Sequence, residues 1–180
     1  GKRDSVLVAT KWGMKMGDGP HKSGGSRKYI MAAVEDSLRR LQTDYIDLYQ
    51  LHRPDPQTPM EETLRALDDL VSSGKVRYIG HSNFAGWQAA EAHFVAQKGN
   101  YTPFISAQNE YSLLERRIEA ELVPACNQYG VSVLPFFPLA SGLLTGKYKR
   151  GAAAPDDTRF AKAPALKDRY VTARNEDIVE

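Results

Sequence analysis

Five apolar runs in this chain end in residues able to carry charge, move a proton or read an amide. VLVATK stops at Lys11, YIDLYQLH at His52 and VRYIGHSN at Ser82 and Asn83; ISAQNEY carries Gln108 and Tyr111 near its close, and VSVLPFFP ends in Phe136, Phe137 and Pro138. A lysine finishing a buried strand either snorkels to the surface or needs a carboxylate or bound anion to offset its desolvation. A histidine in such a place is often a hydrogen-bonded structural residue, but Pro54 and Pro56 stiffen the turn after His52 and hold the imidazole at a fixed depth. Asn83 can serve as a helix cap. The stretch Leu139, Ala140, Ser141, Gly142, Leu143 to Lys147 reads either as a glycine-broken surface loop or as a place where amides approach an oxyanion under the Lys147 charge.

The elements that must position these groups alternate strand and helix. Strands are expected at Val6–Lys11, Tyr45–His52, Val76–Asn83, Ile105–Tyr111 and Val131–Pro138, with period-2 alternation putting Ile46, Leu48, Gln50 and His52 on one face. Ser26 caps a helix striped by Ile30, Val34, Leu38 and Leu41, with Arg39 and Arg40 on its wet side. Thr58, Pro59 and Glu61 spell N-cap, first position and capping box for the next helix, which buries Leu64, Leu67 and Val71. Helix Ala85–Lys98 is expected to bury Trp87, Ala90 and Phe94, and helix Arg116–Tyr129 to bend or start late at Pro124. Strands recurring at roughly 30-residue intervals with helices between them are successive βαβ units of a parallel sheet. In parallel (β/α) barrels the reacting groups gather at the carboxyl ends of strands, so all five endings would reach one rim. They bring a cation, an imidazole, amide-reading groups, an aromatic face and an anion-binding loop, with no nucleophile beside a base. That inventory suits a nicotinamide nucleotide held against a carbonyl better than hydrolysis. A zinc site using His52 and His81 is a weaker reading, because no H-x-H pair occurs and Glu110 is the sole acid near a strand end.

Composition narrows the class. The 180 residues are 42% hydrophobic, enough for one sizeable core, and the net charge of +2 from 24 basic and 22 acidic residues gives no electrostatic case for nucleic acid or a membrane surface. Cys126 is the single cysteine, which excludes an internal disulfide framework. No apolar stretch approaches the roughly 20 residues that span a bilayer. The expectation is a cytoplasmic protein acting on a small molecule, with homo-oligomerisation open. The Gly13–Gly25 segment, with five glycines and a proline, reads as a mobile loop without phosphate-loop spacing.

LHRPDP followed by TPMEET, with PLASGLLTGKY and VLVATK, resembles the aldo-keto reductases, particularly the branch of the potassium-channel β subunits and related bacterial reductases. The resemblance implies an α/β chain covering the third to seventh strands of a (β/α)8 TIM barrel, a single incomplete domain over residues 1–180. It implies NADPH-dependent reduction of aldehydes or ketones. Lys11 matches the catalytic lysine that lowers the pKa of a tyrosine acid, and His52 the histidine that orients the carbonyl. Ser82, Asn83 and Gln108 match the nicotinamide carboxamide site, and Phe136 the stacking aromatic. Phe137, Pro138, Leu139, Ala140, Gly142 and Leu143 match the pyrophosphate loop, and Lys147 and Arg159 the phosphate cations. Trp12 and Tyr111 are expected in the substrate pocket, and no metal is implied. The family's catalytic aspartate and tyrosine have no counterpart here, so the chain reads as an internal fragment, inactive alone. The alternative is a channel-β-type nucleotide sensor without turnover; those subunits carry an asparagine at the position of His52.

Overall fold

The computed structural model describes residues 1–179 in two compact units: Gly1–Asn109 with Glu119–Leu134, and Glu110–Ile118 with Pro135–Glu180, where Glu180, the end of the expected domain, lies outside the described residues.

The first unit is built on five parallel strands in sequential order: β1 (Ala9–Trp12), β2 (Ile46–Leu51), β3 (Val76–Ser82), β4 (Phe104–Gln108) and β5 (Ser132–Val133). Helices α1 (Arg27–Leu41), α2 (Met60–Ser72), α3 (Gly86–Gly99) and α4 (Leu122–Tyr129) fill the four crossovers. This is an α/β sheet consistent with part of a (β/α) barrel. Ile30 and Val34 of α1 and Leu64 and Leu67 of α2 are fully buried with Ile46, Tyr49 and Ile79 of the sheet, each such side chain contributing about 1.5–3 kcal/mol of transfer free energy.

Local chemistry explains where the elements begin. Ser26 accepts from the Tyr29 amide as the α1 cap, as its sequence position predicts. Thr58 does not cap α2: its hydroxyl donates to Asp55, and Pro59 stands at the N-cap without a side-chain bond. Glu62 in the first turn of α2 instead accepts from the Arg27 amide at the start of α1. Strand β1 starts three residues later than expected because Val8 turns its amide to the Asp47 carboxylate, which Arg3 also pairs at 2.7 Å. The Val8 amide first, then Arg3, hold the Asp47 carboxyl below the usual carboxylate range against its desolvation. Pro124 marks a late start, as anticipated: a 3-10 turn at Arg117–Glu119 precedes α4, whose first turn needs no proline N–H.

Two expectations are corrected. Trp87 and Phe94 are 64% and 55% exposed, while Gly86, Ala89, Ala92 and Ala96 face inward. Small residues let α3 lie close to its neighbours, and Phe94 packs sideways on Tyr129. Strand β5 ends at Val133, so Phe136 and its followers are not strand; Phe136 keeps one bridge to Glu110, in the second unit.

The second unit contains the 3-10 segment Ala140–Thr145 and three short helices, α5 (Arg159–Lys162), α6 (Pro164–Tyr170) and α7 (Ala173–Val179). Its core joins Ala140, Leu143, Phe160 and Tyr170. Glu110 accepts hydrogen bonds from both Arg169 and the Tyr170 hydroxyl.

His81 points to the helix-covered side, stacked on Phe84 at 4.3 Å, with both ring nitrogens buried and unpartnered among the described residues. Burial pushes its pKa from 6.5 down to about 4. The unfolded chain therefore takes up a proton that the folded one refuses. The stability contributed by a neutral His81 is complete above about pH 6.5 and is lost progressively as pH falls to about 4, by on the order of 3 kcal/mol. Denaturation of the intact protein at several pH values in that window should show a smaller acid loss for His81→Phe than for wild type. Parallel losses would contradict the assignment.

Candidate active site

Parallel registry brings the strand endings together. Lys11 pairs with Gln50, Gln50 with Gly80, and Gly80 with Ser106, forming one cross-strand row. Ser82 pairs with Gln108 two residues further on, and His52 follows Gln50 by the same step, so these side chains belong to the same face. The intervening row of Trp12, Leu51, His81 and Ala107 faces the helices. His52 and His81 thus lie on opposite faces and cannot share one metal ion.

Trp12 is a correction. It is 3% exposed and stacked at 4.5 Å on Tyr49, a ring buried beneath α1, so it forms core rather than the expected pocket wall. Alternation gives the reason, since Trp12 follows Lys11 immediately.

Lys11 is half-buried and makes no ion pair among the described residues. His52 is half-buried beside it: desolvation first, then the charges of Lys11 and Arg53, depress its pKa below the ordinary value of 6.5. The imidazole is therefore neutral near pH 7 and can give or accept one hydrogen bond. Its backbone is fixed from both sides. The His52 amide donates to the Trp12 carbonyl at 2.9 Å, and the His52 carbonyl accepts from Asn83 Nδ2 at 2.9 Å.

Asn83 does not cap α3; the Ala85 amide there donates to Gln88. With φ at 60° it folds back, donating to His52 and to Ser82 Oγ at 3.0 Å, while its own amide donates to the Gln108 carbonyl at 3.2 Å. Ser82 Oγ donates to that same carbonyl at 2.6 Å, so its proton is committed to the main chain. Gln108 Oε1, Gln50 Nε2 and Ser106 Oγ are buried and unpartnered among the described residues. A buried amide oxygen without a donor fits a carboxamide N–H of a bound ligand, because leaving it empty costs about 1–3 kcal/mol. Gln50 was not among the expected site residues, although its place two residues before His52 was the signal for it.

The second unit holds the remaining candidates. Phe136 is half-buried at 5.5 Å from Phe137, and Tyr111 donates its amide to the Phe136 carbonyl at 3.3 Å. Phe137, Ala140 and Ser141 all have positive φ, at 52°, 46° and 55°, an unusual density of left-handed non-glycine residues that marks a constrained loop. The amides of Ala140 and Gly142 donate to the carbonyls of Phe137 and Leu139 at 2.8 Å each, so they are not free for an oxyanion as the sequence suggested. Ala140 and Leu143 are core, whereas Pro138 and Leu139 are exposed. Two groups there suit an anion: the Ser141 hydroxyl, buried and unpartnered among the described residues, and Lys147, whose Nζ lies 3.2 Å from where a Cβ on Gly142 would stand. Gly142, with φ of 103°, gives the ammonium that space. Arg159 is exposed at the start of α5.

The sequence model described as the Aldo/keto reductase family matches residues 1–179. An uncharacterized oxidoreductase of Bacillus subtilis is 42% identical over 173 residues, covering 94% of this chain and 52% of the relative. A probable voltage-gated potassium channel subunit beta of Oryza sativa subsp. japonica is 40% identical over 182 residues, covering 99% and 53%. An L-glyceraldehyde 3-phosphate reductase of Escherichia coli is 40% identical over 159 residues, covering 88% and 45%. The chain spans about half the length of these curated relatives. With a parallel sheet of this order and a family match over residues 1–179, the chain belongs to the aldo/keto reductase family.

Proposed function

We propose that the protein reduces aldehydes or ketones to alcohols with NADPH, and that an aspartate and a tyrosine outside these 180 residues complete its catalytic groups. The observation that carries the reading is the shared face of Lys11, His52 and Gln108, with the Lys11 charge felt at the imidazole. Reduced nicotinamide, when bound, supplies the hydride. Gln108 Oε1 would accept from the carboxamide, with Ser82 and Asn83 holding the Gln108 backbone in place. Within the second unit taken by itself, Ser141, Lys147 and Arg159 would hold phosphates through hydroxyl and cationic contacts, and the family resemblance assigns Phe136 to the nicotinamide ring. Tyr111 would line the substrate end.

The proton side of the reaction falls to the other groups. As a carbonyl carbon is reduced, negative charge grows on its oxygen and must meet a donor and a cation. Neutral His52 orients that oxygen, and Lys11 makes a neighbouring tyrosine a stronger acid by stabilising its anion. Tyr49 does not qualify as that acid, since it is buried on the helix side with its pKa raised by desolvation. We place this protein with small carbonyl substrates rather than with the channel subunits because of His52. No helix of the described residues is long and apolar enough to cross a membrane.

In the intact protein, a panel of aldehydes should drive NADPH oxidation, and Lys11→Met should lower kcat by on the order of 10³-fold while leaving NADPH affinity near wild type. Tight NADPH binding without turnover on any aldehyde would favour the nucleotide-sensing alternative.

A further inference from the structure

The turn that follows His52 contains a carboxylate that the reduction does not use. Asp55 Oδ2 accepts from the Gly25 amide and from Thr58 Oγ1, each at 2.7 Å, and Oδ1 accepts from the Gln57 amide at 3.0 Å. Burial alone would raise its pKa; the Gly25, Thr58 and Gln57 donors outweigh that and keep the group ionised. The fit against Gly24 and Gly25 is close. A Cβ on Gly24 would stand 2.4 Å from Asp55 Oδ2, and one on Gly25 would stand 2.7 Å from Thr63 Oγ1. Thr63 Oγ1 in turn donates to the Gly25 carbonyl at 2.8 Å. Both polar groups of the Gly25 backbone are thus held by the LHRPDP turn and α2.

The partner in this arrangement is the glycine-rich loop. The Gly24 amide donates to the Gly13 carbonyl at 2.9 Å and the Met16 amide to the Lys22 carbonyl at 3.0 Å, so residues 13–24 form a two-rung finger rather than a shapeless loop. The Tyr29 hydroxyl adds a bond to the Met14 carbonyl at 2.9 Å. Its base lies against the active-site turn: a Cβ on Gly13 would be 2.9 Å from Leu51 Cδ1 and 3.7 Å from the His52 amide. The finger leaves β1 directly after Trp12 and displays Met14 and Met16, 44% and 63% exposed. Two adaptable thioethers thus stand exposed on an otherwise polar projection whose base at Gly13 adjoins the turn of His52.

We propose that Asp55 is a positioning residue that locks the 13–24 finger to the turn carrying His52, and that Met14 and Met16 on this finger select bulky apolar carbonyls over small polar ones. The substrate part rests on the reductase reading; the clamp does not. The wall is adjustable in composition but not in placement, because its root is bonded to the same turn that fixes the imidazole. Loosening the root therefore affects recognition of large substrates before it affects chemistry on small ones.

The test uses the intact protein as wild type, Asp55→Ala, Asp55→Asn and Met16→Ser, with an aromatic aldehyde, a small polar aldehyde, and limited trypsin cleavage after Lys15 and Lys22. Asp55→Ala should accelerate cleavage in the finger and raise KM for the aromatic aldehyde on the order of tenfold, with kcat and the small-aldehyde KM nearly unchanged. Asp55→Asn, which keeps an acceptor oxygen for Gly25, should restore both. Met16→Ser should raise the aromatic KM without faster cleavage. Unchanged cleavage in Asp55→Ala overturns the clamp, and equal KM changes for the two aldehydes overturn the wall. If Asp55→Ala does not fold, Asp55→Ser, whose hydroxyl is too short to reach the Gly25 amide, decides the clamp by faster finger cleavage, unchanged cleavage overturning it, and Met16→Ser decides the wall by substrate bias. Absence of any turnover in wild type removes the reductase reading, while cleavage still judges the clamp.

Discussion

Alternation in the parallel strands, interrupted by one register shift at Ile79/Gly80 against β4, is the constraint on which the rest depends. One residue of register decides whether a side chain meets the helices or the site, so Lys11 and Trp12, adjacent in sequence, have unrelated fates. The same rule separates Gln50 from Leu51 and Ser82 from His81. A polar row can survive here only because the alternate row supplies the burial: Tyr49, Leu51 and Ile79 pack beneath α1 and α2.

Desolvation does different work on the two faces. Toward the helices it keeps His81 neutral among aromatic rings, where the imidazole acts as a flat apolar filler at a cost that appears in acid. On the opposite face it combines with the Lys11 charge to keep His52 neutral beside a cation. Neither environment is created by one residue. His52 is held through its main chain by Trp12 and Asn83, and Asn83 reaches Gln108, so four strand endings share a continuous set of hydrogen bonds.

The strand order, the helix count of the first unit and the common face of the first four strand endings were legible in the sequence because they rest on period-2 and period-3.6 patterns, which are local, whereas the fifth ending, at Phe136 and Phe137, is not strand. The motif resemblance identified the family from LHRPDP and PLASGLLTGKY. What was not legible depended on distant partners. Thr58 looks like a cap in isolation, but Asp55 claims its hydroxyl; Val6 and Leu7 look like strand, but Asp47 draws the Val8 amide away. Trp87 and Phe94 look like an inner stripe, but close packing at Gly86, where a Cβ would stand 2.8 Å from the Glu121 backbone, reserves that face for small residues. In the second unit, the expected anion loop proved partly self-bonded: the amides of Ala140 and Gly142 serve their own turn, which no composition argument could reveal.

The shared face of Lys11 and His52 is the claim on which the site stands, and the His52 titration reads it directly. The imidazole pKa of His52, followed by NMR in the intact protein, should lie below 6.5 and rise toward that value in Lys11→Met, because a neighbouring positive charge has been removed. A His52 titration unchanged by the loss of Lys11 would place the two groups apart and contradict the account.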